Sequence, residues 1–191
     1  MRIGIAIPTN RGFRARTVES LVKLVAHSKL DYRFFFPTEG YNTAESRNLS
    51  VAQAIKNDCS HILISDDDMV YSPDALERLL SHNKDIIGTL YSVRRLPRAF
   101  VIEYGEGIKS DEEAETQTEP FRCEAIGTGF MLVKTEIFKK LTSPFFGYEW
   151  YENGMVKAST DWVFCKKARE AGIEIWCEPI IKVSHIGEYE Y

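Results

Sequence analysis

The first half of the chain alternates short apolar runs with segments whose apolar positions recur at helical spacing. RIGIAI predicts a first strand, and Val18, Leu21, Val22 and Val25 then fall at i, i+3, i+4 and i+7, which predicts a helix with that stripe inward. YRFFF predicts a second strand. Asn42 with Glu45 three residues later has the form of a capping box, and it opens a helix expected to turn Leu49, Ala52 and Ile55 to the core. HILIS predicts a third strand. Ser72-Pro73 predicts an N-cap with proline at the first helical position, followed by a buried stripe of Leu76, Leu79 and Leu80. DIIGTLY predicts a fourth strand. Strands alternating with amphipathic helices are the pattern of an α/β fold around a mostly parallel sheet.

The second half is less regular. AFVIEY and FRCEAI read as strands flanking residues 105–120, an acidic stretch expected to be an exposed loop, and GFMLVK reads as another strand. A short helix from Glu136 leads into the aromatic segment PFFGYEWYENG. A last helix starts near Thr160 with Phe164, Ala168 and Ala171 on one face, and IEIWCE and IIKVSHIG close the pattern as strands. The second half thus adds a small, antiparallel-looking extension to the α/β core. With 191 residues and neither an internal repeat nor a linker-like tract, the expectation is one domain.

Composition narrows the function classes. No apolar run approaches the ~20 residues needed to span a bilayer, and MRIGIAIPTN turns polar too soon for a secretory segment, so a cytoplasmic location is expected. Cys59, Cys123, Cys165 and Cys177 are far apart and form no CxxC pair, which favours reduced core thiols over structural zinc or a disulfide framework. The net charge of −4 and the acidic run Asp111, Glu112, Glu113, Glu115 and Glu119 argue against a nucleic-acid partner.

The chemistry concentrates where HILIS ends, at Asp66-Asp67-Asp68. Side chains alternate along a strand, so Asp66 and Asp68 are expected on one face and Asp67 on the other. Ligands of open α/β sheets bind beyond the carboxyl ends of the strands, which is where the pair falls. Paired carboxylates suit Mg²⁺ or Mn²⁺, with the shell completed by substrate phosphates, and such an ion would relieve their repulsion. A solvated Asp-rich turn is the plainer alternative.

HILISDDDM with SPDALERLL resembles the DxD region of nucleotide-sugar-dependent glycosyltransferases of the GT-A fold, the family 2 type especially. IGIAIPTN, ESRNLSVAQAI, GTGFMLVKTEIF and STDWVFCKKAREAGIEIWCEPIIKVSHIG fall in that family's order, so the resemblance spans nearly the whole chain. It implies a Rossmann-like GT-A domain in which residues 1–92 hold the nucleotide and residues 93–191 receive the acceptor and complete the metal shell. It also implies a nucleoside-diphosphate sugar as donor, a saccharide or other hydroxyl as acceptor, and transfer with inversion.

Carried over residue by residue, Asp66 would contact the ribose or the metal, Asp68 would ligate Mn²⁺ or Mg²⁺, and Asp67 would be a less certain donor-site member. His185 of VSHIG would complete the metal shell. Asp161 of STDWV would be the general base, with Thr160 standing where a Glu is often found. Arg47 of ESRN would meet the base and diphosphate. Pro8, Thr9, Asn10 and Arg11 would cradle the nucleotide at the same sheet edge.

Gly127 and Gly129 of GTGF read as points where backbone closely approaches a ligand, or else a plain turn. Trp150 and Tyr151 offer flat faces on which an acceptor sugar could stack, core packing being the commoner fate of such residues. Arg94, Arg95 and Arg98 make a small basic patch after the fourth strand that could face an anionic acceptor, solvation being the plainer fate. Acceptor recognition is expected from loops 105–120 and 143–158, from a partner, or from a homodimer.

Two rivals remain. A sugar-phosphate nucleotidyltransferase should carry a glycine- and lysine-rich loop after strand one, where this chain has PTNRGFRAR; a binding module would keep the scaffold without turnover.

Overall fold

The computed structural model describes residues 1–9, 12–37, 42–94 and 96–187. Its elements run β1 (Arg2–Ala6), α1 (Ala15–Ser28), β2 (Asp31–Phe35), α2 (Thr43–Lys56), β3 (His61–Ser65), β4 (Met69–Tyr71), α3 (Ala75–Ser81) and β5 (Ile86–Thr89) in the first half. The second half holds β6 (Ile102–Tyr104), α4 (Asp111–Glu115), β7 (Phe121–Ile126), β8 (Phe130–Lys134), a 3-10 turn (Thr135–Lys139), β9 (Glu149–Trp150), β10 (Val156–Ala158), α5 (Thr160–Glu170), β11 (Ile175–Glu178) and β12 (Val183–His185).

An eight-stranded sheet in the order β2-β1-β3-β8-β5-β11-β7-β6 forms the frame. All strands but β8 and β7 point one way, since β1 is parallel to β2 and β3, β11 is parallel to β5, and the pairings of β8 and β7 are antiparallel. Inserting β8 between β3 and β5 brings its amino end, with Gly127 to Gly129, to the edge where β1, β3 and β5 finish. The central strands are buried on both faces, which is why they read as near-continuous apolar runs.

One face packs Val51, Ala54, Phe164 and Ala168 of α2 and α5 against Ile62, Ile64, Met131 and Val133. The other packs Leu24, Leu76 and Leu79 of α1 and α3 against Ile3, Ile5, Leu63 and Leu132. Each such fully buried aliphatic side chain is worth about 1.5–3 kcal/mol of transfer free energy.

Several local expectations are corrected. In α1 the buried residues are Thr17, Ser20, Leu24 and Ser28, whereas Val18 and Val22 are exposed. The small hydroxyl residues let the helix lie close to β4, where Ser20 Oγ accepts the Tyr71 N–H. In α2 the capping box forms as expected, with both Asn42–Glu45 hydrogen bonds present, but the buried face is Ala44, Arg47, Val51 and Ala54 while Ala52 and Ile55 are exposed. The helix is rotated to carry an arginine inward. Helix α3 begins at Ala75, after Pro73, because residues 69–71 form a strand first. The acidic stretch contains α4, capped by the Ser110 hydroxyl and anchored by the buried Ala114.

Candidate active site

Two small ladders place the acidic triplet. β3 ends at Ser65, residues 67–68 form a turn, and β4 pairs antiparallel with β12, setting His185 opposite Met69. The Ile186 N–H donates to the Asp68 carbonyl at 2.8 Å, which locks the histidine strand onto the turn. The Asp66 N–H donates to the Gly129 carbonyl, and the Arg14 N–H to the Asp67 carbonyl. Because the chain leaves strand geometry at Ser65, strict alternation does not hold: Asp66, Asp67 and Asp68 all line one cavity of ≈ 710 Å³. Pro8, Thr9, Gly12, Phe13 and Arg14 after β1 form one wall of it; Thr43, Ser46 and Arg47 at the start of α2 form another, and Arg94 with His185 a third. Arg11 lies outside the described residues, as does Asn10.

Two of the three aspartates, Asp66 and Asp68, meet arginines of the chain itself. Arg47, 4% exposed, reaches Asp66 Oδ1 with Nη2 at 3.1 Å and Asp161 Oδ1 with Nη1 at 2.5 Å, and Nη1 also meets the Thr160 hydroxyl. Arg94 Nη1 lies 2.7 Å from Asp68 Oδ2, and His185 Nε2 lies 3.1 Å from Asp68 Oδ1. Arg94 is half exposed, as a solvated residue would be, but it also makes an ion pair with no signal in the sequence: a loop after β5 turns this side chain onto a carboxylate far back in the chain.

These neighbours set the carboxylates apart. Burial pushes Asp161 up, but the Arg47 guanidinium, the Thr160 hydroxyl and the Thr128 N–H together hold it below the usual carboxylate range. Asp68 is likewise held low, with the His185 and Arg94 contacts outweighing burial. Asp66 is raised: burial and the charges of Asp161 and Asp68 outweigh its share of Arg47.

Asp161 opens α5 as expected, yet it sits behind Arg47 and is not part of the cavity wall. Gly129 and Gly127 owe their identity to a protein group: a Cβ at Gly129 would lie 2.6 Å from Tyr91 Cζ and one at Gly127 2.0 Å from the Tyr91 hydroxyl. The close approach expected of a ligand is made by this buried ring, whose hydroxyl accepts the Gly129 N–H at 3.0 Å and whose face meets the His185 ring edge-on at 5.8 Å. Tyr91 had no sequence signal of its own. Trp150 and Tyr151 stand on the β9–β10 hairpin, 59% and 55% exposed, and do not line the cavity.

Among the described residues no group of three or more His, Cys, Asp or Glu is placed to hold a metal ion. The Asp68–His185 pair nevertheless fits two adjacent positions of an octahedral Mg²⁺- or Mn²⁺-type shell, whose neighbouring ligands stand about 3 Å apart for bonds of about 2.1 Å. With Nδ1 directed at the Ser92 carbonyl at 3.2 Å, the ring is oriented so that Nε2 is the nitrogen facing Asp68 and would be the one to meet an ion. Two buried polar atoms at the cavity residues, Thr9 Oγ1 and Arg47 Nε, have no partner among the described residues.

This sheet order and site position define a GT-A type fold, with the site at the carboxyl edge. No family model and no curated protein matches the chain. Among solved structures it is similar to A197 from STIV at 17% identity, covering 98% of this chain and 86% of that one with a TM-score of 0.66. It is similar to GalNAc-T7 crystallised with UDP, GalNAc and Mn²⁺ at 12% identity and a TM-score of 0.63, covering 98% of this chain and 44% of that one. The inositol-1-phosphate CTP transferase from T. maritima is also similar, at 14% identity, covering 96% and 69% of the two chains, with a TM-score of 0.50. At such identities the likeness is one of fold, and the chain spans less than half the length of GalNAc-T7. No helix among the described residues is long and apolar enough to cross a membrane.

Proposed function

We propose that the chain is a metal-dependent glycosyltransferase that moves a sugar from a nucleoside-diphosphate sugar to an acceptor hydroxyl, with inversion as the family resemblance implies. One observation carries the reading: Asp68 and His185 stand at a ligand-pair distance of 3.1 Å in a cavity that also presents guanidinium groups and a buried Thr9 hydroxyl with no partner among the described residues. Buried polar atoms without a protein partner are rare, and one in a cavity wall is accounted for by a polar ligand.

In this reading the first half of the chain, residues 1–92, holds the donor. Pro8 and Thr9, with Arg11 beside them in sequence, and Asp66 and Asp67 border the nucleotide. Arg47 faces the diphosphate. Asp68 and His185 would hold Mn²⁺ or Mg²⁺, which when bound offsets negative charge developing on the departing nucleoside diphosphate.

Asp161, kept ionised by Arg47, takes the acceptor proton. Residues 93–191 receive the acceptor, with Trp150 and Tyr151 offering exposed rings for a sugar to stack on. A homodimer would bring a second hairpin to the same task.

The test is incubation with Mn²⁺ and a panel of nucleotide-sugars, measuring slow release of nucleoside diphosphate without an acceptor. Release from one donor, lost in Asp68→Asn, is expected; binding with no release from any donor would leave a non-catalytic module. The likeness to a CTP transferase favours nucleotidyl transfer as the second reading. Against it stands the loop after β1, PTNRGFRAR, with one glycine and no lysine. Pyrophosphate release from a nucleoside triphosphate and a sugar phosphate would select that alternative.

A further inference from the structure

We propose that Arg94 makes metal binding at Asp68 conditional on a diphosphate, acting as a resident counter-cation that changes partner when the anionic donor arrives. The inference rests on the Asp68–His185 ion site proposed above.

The two arginines at the triplet are held very differently. Arg47 is buried and committed to Asp66, Thr160 and Asp161. Arg94 has a half-exposed side chain that lines the cavity and, among the described residues, one ion pair, to Asp68 Oδ2. A guanidinium carries five donors in a planar fork suited to two phosphate oxygens. The fork of Arg94 is thus mostly free to take an anion in the cavity it lines.

Asp68 is the reverse case, a buried carboxylate with both oxygens occupied, Oδ1 by His185 and Oδ2 by Arg94. Without a ligand, Arg94 neutralises the carboxylate that a divalent cation would need. It also sets a positive charge beside the position that ion would take, and like charges a few ångströms apart repel one another. A diphosphate reverses both effects, because it draws the guanidinium off Oδ2 and supplies oxygens to the ion. Linkage then requires that the ion strengthen diphosphate binding by the same factor.

The salt bridge itself contributes little to folding, because its arginine is half exposed. Arg94→Met should therefore leave the thermal melting temperature nearly unchanged, which separates this test from a folding defect.

The probe is Mn²⁺ titrated into the full chain, with free ion read by electron paramagnetic resonance, alone and with inorganic pyrophosphate. For the wild type, weak uptake of Mn²⁺ alone and on the order of tenfold tighter uptake with pyrophosphate are expected, within the usual range of coupling between sites. Arg94→Met should bind Mn²⁺ alone more tightly than the wild type and show a smaller gain from pyrophosphate, the part that phosphate oxygens supply to the ion directly. Arg94→Lys, which keeps the charge but not the fork, should resemble the wild type without pyrophosphate and lose part of the gain with it.

Equal Mn²⁺ affinity and equal pyrophosphate gain in wild type and Arg94→Met would overturn the role of Arg94 while leaving the ion site standing. If neither protein took up Mn²⁺ under either condition, or if Asp68→Asn bound it as well as the wild type, the ion site would fall and this inference with it.

Discussion

Arg47 and Asp161, 114 residues apart in sequence, meet inside the protein with Nη1 2.5 Å from Oδ1 and the guanidinium almost wholly buried. The contact ties the start of α2 to the start of α5 beneath the cavity floor, and the other guanidinium nitrogen holds Asp66 at the end of β3. Removing one partner of a buried pair leaves the other charge uncompensated.

Asp161→Ala is accordingly expected to destabilise the fold by about 3–5 kcal/mol, read as a lower urea midpoint at unchanged slope. Asp161→Asn keeps an oxygen acceptor for Arg47 and should lose less. If the chain transfers a sugar as proposed, Asp161→Asn should also abolish that transfer while nucleoside diphosphate still binds with Mn²⁺; transfer at the wild-type rate would remove Asp161 from the role of base.

The carboxylates predict opposite pH effects. Asp68 and Asp161 are held below their ordinary range, so their contribution to stability is fully present above about pH 4 and is lost as pH falls through their lowered values. Asp66 is raised, so its charged form penalises the fold once pH rises through its folded value. Melting temperature against pH should therefore fall on the acid side. Asp68→Asn and Asp161→Asn should each flatten that limb, and Asp66→Asn should raise the melting temperature of the ligand-free protein at pH 7 while weakening donor binding. Destabilisation by Asp66→Asn at pH 7 would contradict this assignment of signs.

Gly127 and Tyr91 should behave as a coupled pair. A methyl group at Gly127 would collide with the Tyr91 hydroxyl at 2.0 Å and with Val101 Cγ1 at 2.7 Å. Gly127→Ala is expected to cost about 1–3 kcal/mol. Tyr91→Phe removes the nearer obstacle at the expense of the hydrogen bond from Gly129, so the double variant should be less destabilised than the sum of the single ones. Simple additivity in denaturant midpoints would show that the ring yields freely.

Trp150→Ala should leave stability within about 0.5 kcal/mol of the wild type, as expected for a side chain 59% exposed. If the hairpin receives the acceptor, the same change should raise the acceptor KM several-fold and leave donor hydrolysis unaltered. An unchanged acceptor KM would move recognition elsewhere.

Much of the frame was legible because its signals are local. The strands RIGIAI, HILIS and DIIGTLY, the Asn42–Glu45 capping box and the acidic triplet at a strand's carboxyl end all depend on residues near one another in sequence. Helix faces were less so. The stripes expected at Val18 and Val22 and at Ala52 and Ile55 point to solvent, because α1 packs through Ser20 and Leu24 and α2 carries Arg47 inward. A hydropathy pattern assigns an arginine to the outside, since it contains no record of a counter-charge supplied from a distant segment.

By itself, the sequence determined the α/β alternation, the site's position at the carboxyl edge, and the residue types gathered there. Backbone periodicity and turn chemistry act over a few residues, so they are written in order along the chain. Tertiary structure alone decided which charge meets which: Arg47 between Asp66 and Asp161, Arg94 and His185 on Asp68, and Tyr91 over the two glycines. Burying a charge is favourable only when its partner arrives, and here those partners come from strands and helices brought together by the fold.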